Sequence, residues 1–210
     1  MPKGSPELVR ARKEEIIAAC EKLYRTRSFN EITIQDIGRE TTLGRTSIYT
    51  YFRTKEEIFL AVLQKEYDAW IADLESLLAD NNILTKSRFA SSLAKTLEKR
   101  ELLLKIMSMN HFDMEKNSRT ECLAAFKAVY GRSMHTVTQC LKKFCPDMDP
   151  AEQQRFIYAF FPFIYGIYPY TSVTEKQKKA MEEAGVHYVY HSVYEITFSF
   201  LKKWLEATNE

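Results

Sequence analysis

Apolar residues recur at helical spacing along almost the whole chain, and no segment alternates apolar and polar residues as a half-buried strand does. In the first helix, predicted over residues 7–27, one stripe carries Ile16, Cys20 and Leu23. An apolar share of 45%, with six glycines and six prolines, excludes a disordered or low-complexity chain. The sequence therefore predicts an all-α protein.

The same spacing predicts the remaining helices and the joints between them. After a short helix opened by Thr33, we expect helices over residues 45–52, 55–79, 86–100, 102–109, 119–144, 151–170 and 186–207. Joints are expected at 110–118 and 145–150, and the charged stretch 171–185 leaves room for a short helix. The uncharged run 156–173 contains two prolines and a glycine, which favours a buried helix over a membrane span.

Charge is concentrated in the N-terminal quarter. Residues 1–55 hold 11 basic and 7 acidic side chains, a balance of 11 − 7 = +4, within a chain whose formal net charge is +2. Any polyanionic partner should therefore meet this part of the chain. The four cysteines are widely spaced and form no C-x-x-C pair, and no secretory leader is recognised, so a reduced, cytoplasmic setting is expected.

Two short helices joined by a polar turn follow the first helix. Thr33 and Asp36 form a capping-box-like start, Thr41 to Gly44 make the turn, and a third helix begins at Arg45. A second capping box is expected at Thr54. This order is the geometry of a DNA-binding helix-turn-helix, whose second short helix lies in the major groove.

The helix-turn-helix interpretation assigns DNA contacts to named side chains. The start of the third helix would face base edges, because an arginine can donate two bonds to guanine and a threonine methyl can touch the thymine methyl. Neighbouring side chains and the free N–H groups after Thr54 would hold phosphates. The predicted DNA-binding residues are Thr33, Arg45, Thr46, Ser47, Tyr49, Thr50 and Lys55, with Arg10, Arg12 and Lys13 as further phosphate contacts.

The stretch from Ile34 to Ile58, and above all its Tyr-x-Tyr-Phe-x-x-Lys-Glu-Glu core, resembles the N-terminal domain of TetR-family transcriptional repressors. The resemblance covers about residues 10–63. Gly38 stands where the family has alanine, Thr42 where it has glycine and Gly44 where a serine caps the recognition helix. We expect Gly44 to serve the turn in place of the glycine missing at position 42.

The resemblance implies a three-helix DNA-binding domain over residues 1–54 and a larger helical ligand-binding and dimerisation domain over 55–210. It implies a homodimer through the last two long helices that represses from a palindromic operator and is released by a small, largely apolar ligand. Met and aromatic side chains adapt to such ligands. The predicted ligand residues are Met107, Asn110, His111, Met114, Phe126 and Tyr130, with no catalytic residue, metal or cofactor.

Other interpretations stay open at this stage. The broad apolar faces of the last helices also suit a large monomeric core. A helical module that binds a small molecule or a protein could also keep a degenerate motif that no longer binds DNA. A helical enzyme has little support, because the sequence holds no phosphate loop, H-E-x-x-H pair or nucleophile elbow. His187 and His191 stand four apart on a predicted helix, the spacing of a metal pair, but packing is the commoner role for such a pair.

Overall fold

The computed structural model describes residues 4–109 and 111–207, with the side chain of residue 111 outside the description. These residues form helices and turns without a strand, which confirms the all-α prediction. A short 3-10 turn covers Phe29–Glu31. The α-helices are α1 (Pro6–Tyr24), α2 (Ile34–Arg39), α3 (Arg45–Ile48), α4 (Lys55–Asp80), α5 (Lys86–Glu98), α6 (Glu101–Met107), α7 (His111–Lys116), α8 (Thr120–Phe144), α9 (Pro150–Gly166), α10 (Tyr168–Thr171), α11 (Glu175–Glu183) and α12 (Val193–Glu206).

The chain forms two compact units, and each is built from two segments. The N-terminal unit comprises residues 1–66 and 110–130, and the C-terminal unit comprises 67–109 and 131–210. The N-terminal unit therefore includes α1 to α3 together with a segment that lies far away in the sequence. A functional boundary after residue 54 stays a prediction.

The core of the N-terminal unit forms where the apolar stripe of α1 meets the helix-turn-helix. Ile16 of α1, Ile37 of α2 and Ile48 of α3 are all fully buried. The ring of Phe59 packs edge-on against Tyr24 and Phe29, with ring centroids 4.9 and 4.8 Å away. Such edge-to-face contacts add to the free energy gained by burying the rings, so the start of α4 is held against α1.

A buried ion pair joins the two segments of the N-terminal unit. The Glu57 carboxylate accepts hydrogen bonds from Arg119 Nε at 2.7 Å, Arg119 Nη2 at 2.9 Å and the Arg119 N–H at 3.1 Å. It also accepts the N–H of Arg53 at 2.8 Å. Burial alone would raise the pKa of Glu57, but these donors outweigh it and lower the pKa to about 2.

The core of the C-terminal unit is built around aromatic rings. Trp70 is fully buried, and its indole N–H donates to Thr96 Oγ1 at 3.0 Å. The rings of Phe160 and Phe161 lie 6.5 and 6.1 Å from that of Trp70. Helix α12 packs along α5 through the buried residues Thr197, Leu201 and Leu205. Aromatic rings thus lie at the centre of this core.

Several helix ends differ from the prediction. Helix α3 ends at Ile48, and a turn continues to Tyr51. Helix α9 ends at Gly166, because Pro169 has no N–H to donate to the carbonyl of Tyr165. The joint 110–118, predicted as a loop, contains α7, whereas the short helix allowed between 171 and 185 is present as α11.

The prediction of a helix from residue 186 is wrong, because α12 begins at Val193. Gly185 has a φ of +67°, the left-handed conformation that ends α11. Ser192 and Glu195 then form a reciprocal capping box that starts α12. Since 186–192 is not helical, His187 and His191 do not share a helical face.

No helix within the described part of the chain is both long and apolar enough to cross a membrane. Over the same residues, no three His, Cys, Asp or Glu side chains come together as metal ligands.

The first prediction concerns Gly38. A Cβ added there would lie 3.5 to 3.6 Å from its nearest neighbours in Arg45 and Ile48, which is ordinary van der Waals contact. Because glycine within a helix is less stable than alanine, Gly38→Ala should raise the free energy of unfolding by about 0.5–1 kcal/mol in urea titration. Gly185→Ala is the control and should lower stability, since alanine is strained at that positive φ. A loss of stability in Gly38→Ala would contradict the packing described for α2 and α3.

The second prediction concerns the Glu57 carboxylate. Glu57→Gln breaks a buried ion pair and should lower the free energy of unfolding at pH 7 by about 3 kcal/mol. Because the folded-state pKa of about 2 lies below the ordinary 4.5, the stabilisation is complete above pH 4.5 and is lost as the pH falls towards 2. Urea titrations across this window should show the difference between wild type and variant shrinking.

Glu56→Gln is the matched control, because it makes the same change one residue earlier, outside the buried pair. Its effect on stability should stay within about 0.5 kcal/mol at every pH. A Glu57→Gln deficit that persists unchanged down to pH 2 would show that the ionised carboxylate is not the source of the stability.

Candidate nucleic-acid interface

Helix α2 begins with the capping box that the sequence predicts. Thr33 Oγ1 accepts the N–H of Asp36 at 3.1 Å, and Asp36 Oδ2 accepts both the hydroxyl of Thr33 at 2.6 Å and its N–H at 3.0 Å. The hydroxyl bond, followed by the N–H bond, lowers the pKa of Asp36. The Thr33 hydroxyl is therefore already engaged within the protein, while the residue itself is exposed.

The turn between α2 and α3 is made without a left-handed residue. Gly44 has a φ of −69° and is the N-cap of α3, so the expectation that it replaces the missing glycine is wrong. The hydroxyl of Thr41 braces the turn instead: it accepts the N–H of Leu43 at 3.2 Å and lies 3.1 Å from the carbonyl oxygen of Gly38. A side-chain hydroxyl thus does what glycine conformation does elsewhere.

The recognition helix α3 is anchored by one face and exposed on the other. Ile48 is fully buried, which fixes the side of α3 that faces the core. The predicted base-reading residues Arg45, Thr46 and Ser47 are all exposed, in the first turn of the helix. The Arg45 guanidinium carbon lies 5.9 Å from the centroid of the Tyr49 ring. The structure thus brings these four exposed side chains together.

Lys55 has a structural role that the sequence did not reveal. Its ammonium donates to the carbonyls of Phe29 at 2.7 Å and Ile32 at 2.9 Å, and lies 3.8 Å from the centroid of the Phe29 ring. Burial lowers the pKa of Lys55, against the opposing charge of Glu56. An ammonium has three donors, so two carbonyl bonds leave one for a phosphate.

The start of α4 differs in one respect from the predicted capping box. Thr54 Oγ1 accepts the N–H of Glu57 at 3.2 Å, as expected. The Glu57 carboxylate, however, turns to Arg53 and Arg119, and the Thr54 hydroxyl donates to the carbonyl of Asn117 at 2.9 Å. No local pattern in the sequence signals Arg119, which lies 62 residues from Glu57.

The basic residues of α1 differ in their exposure to solvent. Arg10 is exposed and makes only a loose ion pair with Glu14 at 3.8 Å. Arg12 is half-buried and bonds within the protein to Glu15 and Thr42. Of the predicted phosphate contacts, Arg10 is therefore the more accessible of the two arginines.

The predicted ligand residues are distributed over both units. Met114 and Phe126 are buried in the N-terminal unit, where Tyr130 is half-buried and burial raises the pKa of its phenol. Met107 is buried in the C-terminal unit. Asn110 and the side chain of His111 lie outside the described residues. The ligand site stays a prediction.

Comparisons with known proteins agree with this geometry. Residues 16–62 match the family described as "Bacterial regulatory proteins, tetR family", and residues 64–191 match "Tetracyclin repressor-like, C-terminal domain". The HTH-type transcriptional regulator HbdR of Aromatoleum sp. (strain CIB) is 34% identical over 65 residues, 31% of this chain and 28% of HbdR. The HTH-type transcriptional regulator RutR of Escherichia coli (strain K12) is 28% identical over 72 residues, 34% of each chain. These matches thus span about a third of each relative or less.

Solved structures share the fold over nearly the whole chain. The fatty acid degradation regulator FadR from Bacillus halodurans has a TM-score of 0.61 and 12% identity, with 100% of both chains covered. FadR from Bacillus subtilis, in complex with stearoyl-CoA, has a TM-score of 0.60 and 13% identity over 91% of this chain and 97% of that one. Because its domain matches cover more than half of its length, the chain belongs to the TetR family of bacterial regulatory proteins, and its helix-turn-helix lies within the part that matches the family's N-terminal domain.

Proposed function

We propose that the protein is a homodimeric cytoplasmic repressor that leaves a palindromic operator when a small, largely apolar molecule binds. The observation that supports DNA recognition most directly is the first turn of α3. There, Arg45, Thr46 and Ser47 are exposed while Ile48 is buried beneath them. A helix held by one face and exposed at its N-terminal turn is what insertion into a major groove requires.

Base reading is assigned to the start of α3 and backbone binding to its surroundings. Arg45 can donate two bonds to a guanine, and the methyl of Thr46 can touch a thymine. The phosphate contacts are assigned to the exposed hydroxyls of Tyr49 and Thr50 and to the remaining donor of Lys55. Thr33 is not included, because its hydroxyl proton and its N–H are both donated to Asp36. Phosphate contacts fix the register on the duplex, while base contacts select the sequence.

Dimerisation is assigned to the outward faces of α9 and α12. On α9, the exposed residues Tyr158, Pro162 and Gly166 are spaced four apart and so form one stripe. On α12, Phe200 and Trp204 are half-buried: the Phe200 ring stacks on Phe163 with centroids 4.0 Å apart, and the Trp204 ring meets Phe156 edge to face at 5.5 Å. A second copy would cover the apolar surface that remains exposed.

An apolar depression lies on this same face. It has a volume of about 540 Å³ and is lined by Phe200, Trp204, Ala207, Glu152, Arg155 and Lys203. Apolar rings lie in it beside charged side chains of both signs. This composition suits an interface between two copies, in which aromatic side chains fill the centre and charges lie at the rim.

The ligand class rests on this chain's own side chains. Met107, Met114 and Phe126 are buried and apolar, and Tyr130 brings a phenol with a raised pKa that stays neutral and can donate or accept a hydrogen bond. A ligand of mostly apolar surface with a polar group fits such residues. To act as inducer, it must bind better to the conformer that does not fit the operator.

Selection of bound duplexes from a random DNA pool tests the proposal as a whole. A dimer with one recognition helix per subunit should recover two inverted half-sites whose centres are about 34 to 36 Å apart, or a multiple of that. Recovery of a single half-site would argue against the dimer, and recovery of no sequence would argue for a module that has lost specific DNA binding.

The third prediction concerns Arg45. If Arg45 donates two bonds to guanine, Arg45→Ala should cost about 1–3 kcal/mol on the selected duplex and relax the base preference at one position of each half-site. Arg88→Ala is the matched control, since Arg88 is an exposed arginine of α5 in the other unit. Fluorescence anisotropy with the selected duplex and its single-base variants measures the loss of affinity and the change in base preference. An unchanged base preference in Arg45→Ala would remove Arg45 from the reading set.

The fourth prediction concerns the dimer. Tyr158 is 65% exposed, so Tyr158→Glu disturbs little within one chain. In a dimer through α9 and α12 it buries an unpaired charge, which should weaken association by about 3 kcal/mol, or more than about 100-fold. Sedimentation velocity should show a monomer with unchanged helicity, and Phe200→Glu should do the same.

Ile83→Glu is the control for this experiment. Ile83 is 88% exposed in the joint between α4 and α5, so the same change there should leave the dimer intact. A Tyr158→Glu protein that sediments as a tight dimer would place the interface elsewhere.

A further inference from the structure

Three residues of the N-terminal unit form a closed hydrogen-bond network between α1 and the helix-turn-helix turn. Glu15 Oε1 accepts the N–H of Thr42 at 2.5 Å, and Glu15 Oε2 accepts Arg12 Nη1 at 3.0 Å. The same Arg12 Nη1 donates to Thr42 Oγ1 at 2.7 Å. Each member therefore contacts both of the others, and Thr42 is bound through its main chain and its side chain at once.

The network acts close to the start of α3, because it includes Thr42. Thr42 lies two residues before Gly44, the N-cap of α3, which has no side-chain hydrogen bond to the helix. The turn also lacks a left-handed residue that would fix its path. The backbone that leads into α3 is therefore held by the Thr41 hydroxyl within the turn and, from outside, by charged side chains of α1.

A second contact holds the other side of the turn on the same helix. Lys22 Nζ donates to Glu40 Oε2 at 2.6 Å, and Glu40 is the C-cap of α2. Helix α1 thus binds the chain at the end of α2 and again at Thr42. Because the Lys22 side chain is mostly exposed, this ion pair adds less than the more buried contacts of Glu15.

We propose, resting on the DNA-binding function proposed above, that Arg12 and Glu15 are positioning residues for DNA recognition, which set the orientation of α3 through Thr42. Arg12 then contributes to operator affinity through its bonds to Glu15 and Thr42 and not by neutralising a phosphate. Thr42, which replaces a glycine of the family pattern, is the residue that lets α1 bind the turn through a side chain as well as an N–H.

The two possible roles of Arg12 predict opposite effects for Glu15. If Arg12 binds a phosphate, Glu15 only weakens DNA binding, because its negative charge repels the backbone and competes for the guanidinium. Removing Glu15 should then strengthen binding to every duplex. If Glu15 positions the turn, removing it should weaken binding to the selected duplex, although the protein has become more positive.

The first experiment compares Glu15→Ala with Glu14→Ala on the full chain. Glu14 is the neighbouring carboxylate of α1, is exposed and is ion-paired to Arg10. Both variants change the charge equally. We expect Glu15→Ala to bind the selected operator duplex about tenfold more weakly, the scale of one charge-assisted hydrogen bond, and a random duplex no more weakly than wild type. Glu14→Ala should bind both slightly more tightly.

Arg12→Ala separates positioning from phosphate binding through salt dependence. Loss of one phosphate contact lowers the slope of log affinity against log salt by about one, whereas loss of a positioning residue leaves the slope unchanged. The double variant of Arg12 and Glu15 should be no worse than either single variant, because both belong to one network. Glu15→Gln, which keeps an oxygen for the Thr42 N–H, should recover part of the specific affinity.

Amide hydrogen exchange in the free protein tests the geometry without DNA. The Thr42 amide should exchange faster in Glu15→Ala than in wild type, while core amides such as that of Ile48 keep their protection. Any one of three results would overturn the positioning role: unchanged exchange at the Thr42 amide, stronger operator binding by Glu15→Ala, or a slope of log affinity against log salt that is lower by about one in Arg12→Ala. Failure of the wild type to bind any duplex would instead count against DNA binding itself.

Discussion

The N-terminal unit depends on one buried carboxylate in the first turn of α4. A charge at the position of Glu57 is tolerated only if its oxygens are fully hydrogen-bonded, and Arg119 and the N–H of Arg53 supply those bonds. These bonds join two distant parts of the chain. Residues 110–130 fold with residues 1–66, although 43 residues separate the two segments. Two further hydrogen bonds join the same two segments. The Thr54 hydroxyl donates to the carbonyl of Asn117, and the Gln64 amide donates to the carbonyl of Cys122. The start of α8 is thereby fixed to the segment that follows the recognition helix.

The elements that the sequence predicted well are those set by short-range chemistry. The capping box of Thr33 and Asp36 lies within one helical turn, so residue type and spacing suffice to identify it. The partners of the Glu57 carboxylate are not predicted by such short-range patterns. The spacing of Glu57 from Thr54 fits a capping box equally well, but the guanidinium of Arg119, the residue before α8, offers a stronger partner than the Thr54 N–H. Nothing local in the sequence distinguishes the two outcomes, because the deciding residue is brought there by the fold.

The segment before α12 shows that apolar spacing alone can predict helix where none forms. Val189 and Val193 fit one helical stripe, yet the helix begins only at the later residue. A helix start is decided by which N–H groups find acceptors, and Ser192 with Glu195 satisfies two of them at once. Gly185, in a left-handed conformation, has already ended α11. Local hydrogen bonding therefore overrides the hydrophobic pattern wherever a good cap lies inside an apolar stripe.

The residues proposed to contact DNA also differ in how far they are already bound within the protein. Lys55 directs its ammonium to two carbonyls and to the ring of Phe29, so its side chain is ordered before any phosphate approaches. In the proposed role of Lys55 as a phosphate contact, the entropy cost of fixing its side chain is therefore already met in folding. Arg45 differs, because it is exposed and makes only a loose contact with Tyr49. Under the proposed function, a fixed cation such as Lys55 supplies affinity that is independent of sequence. The exposed Arg45 would gain its bonds only where the right base is present.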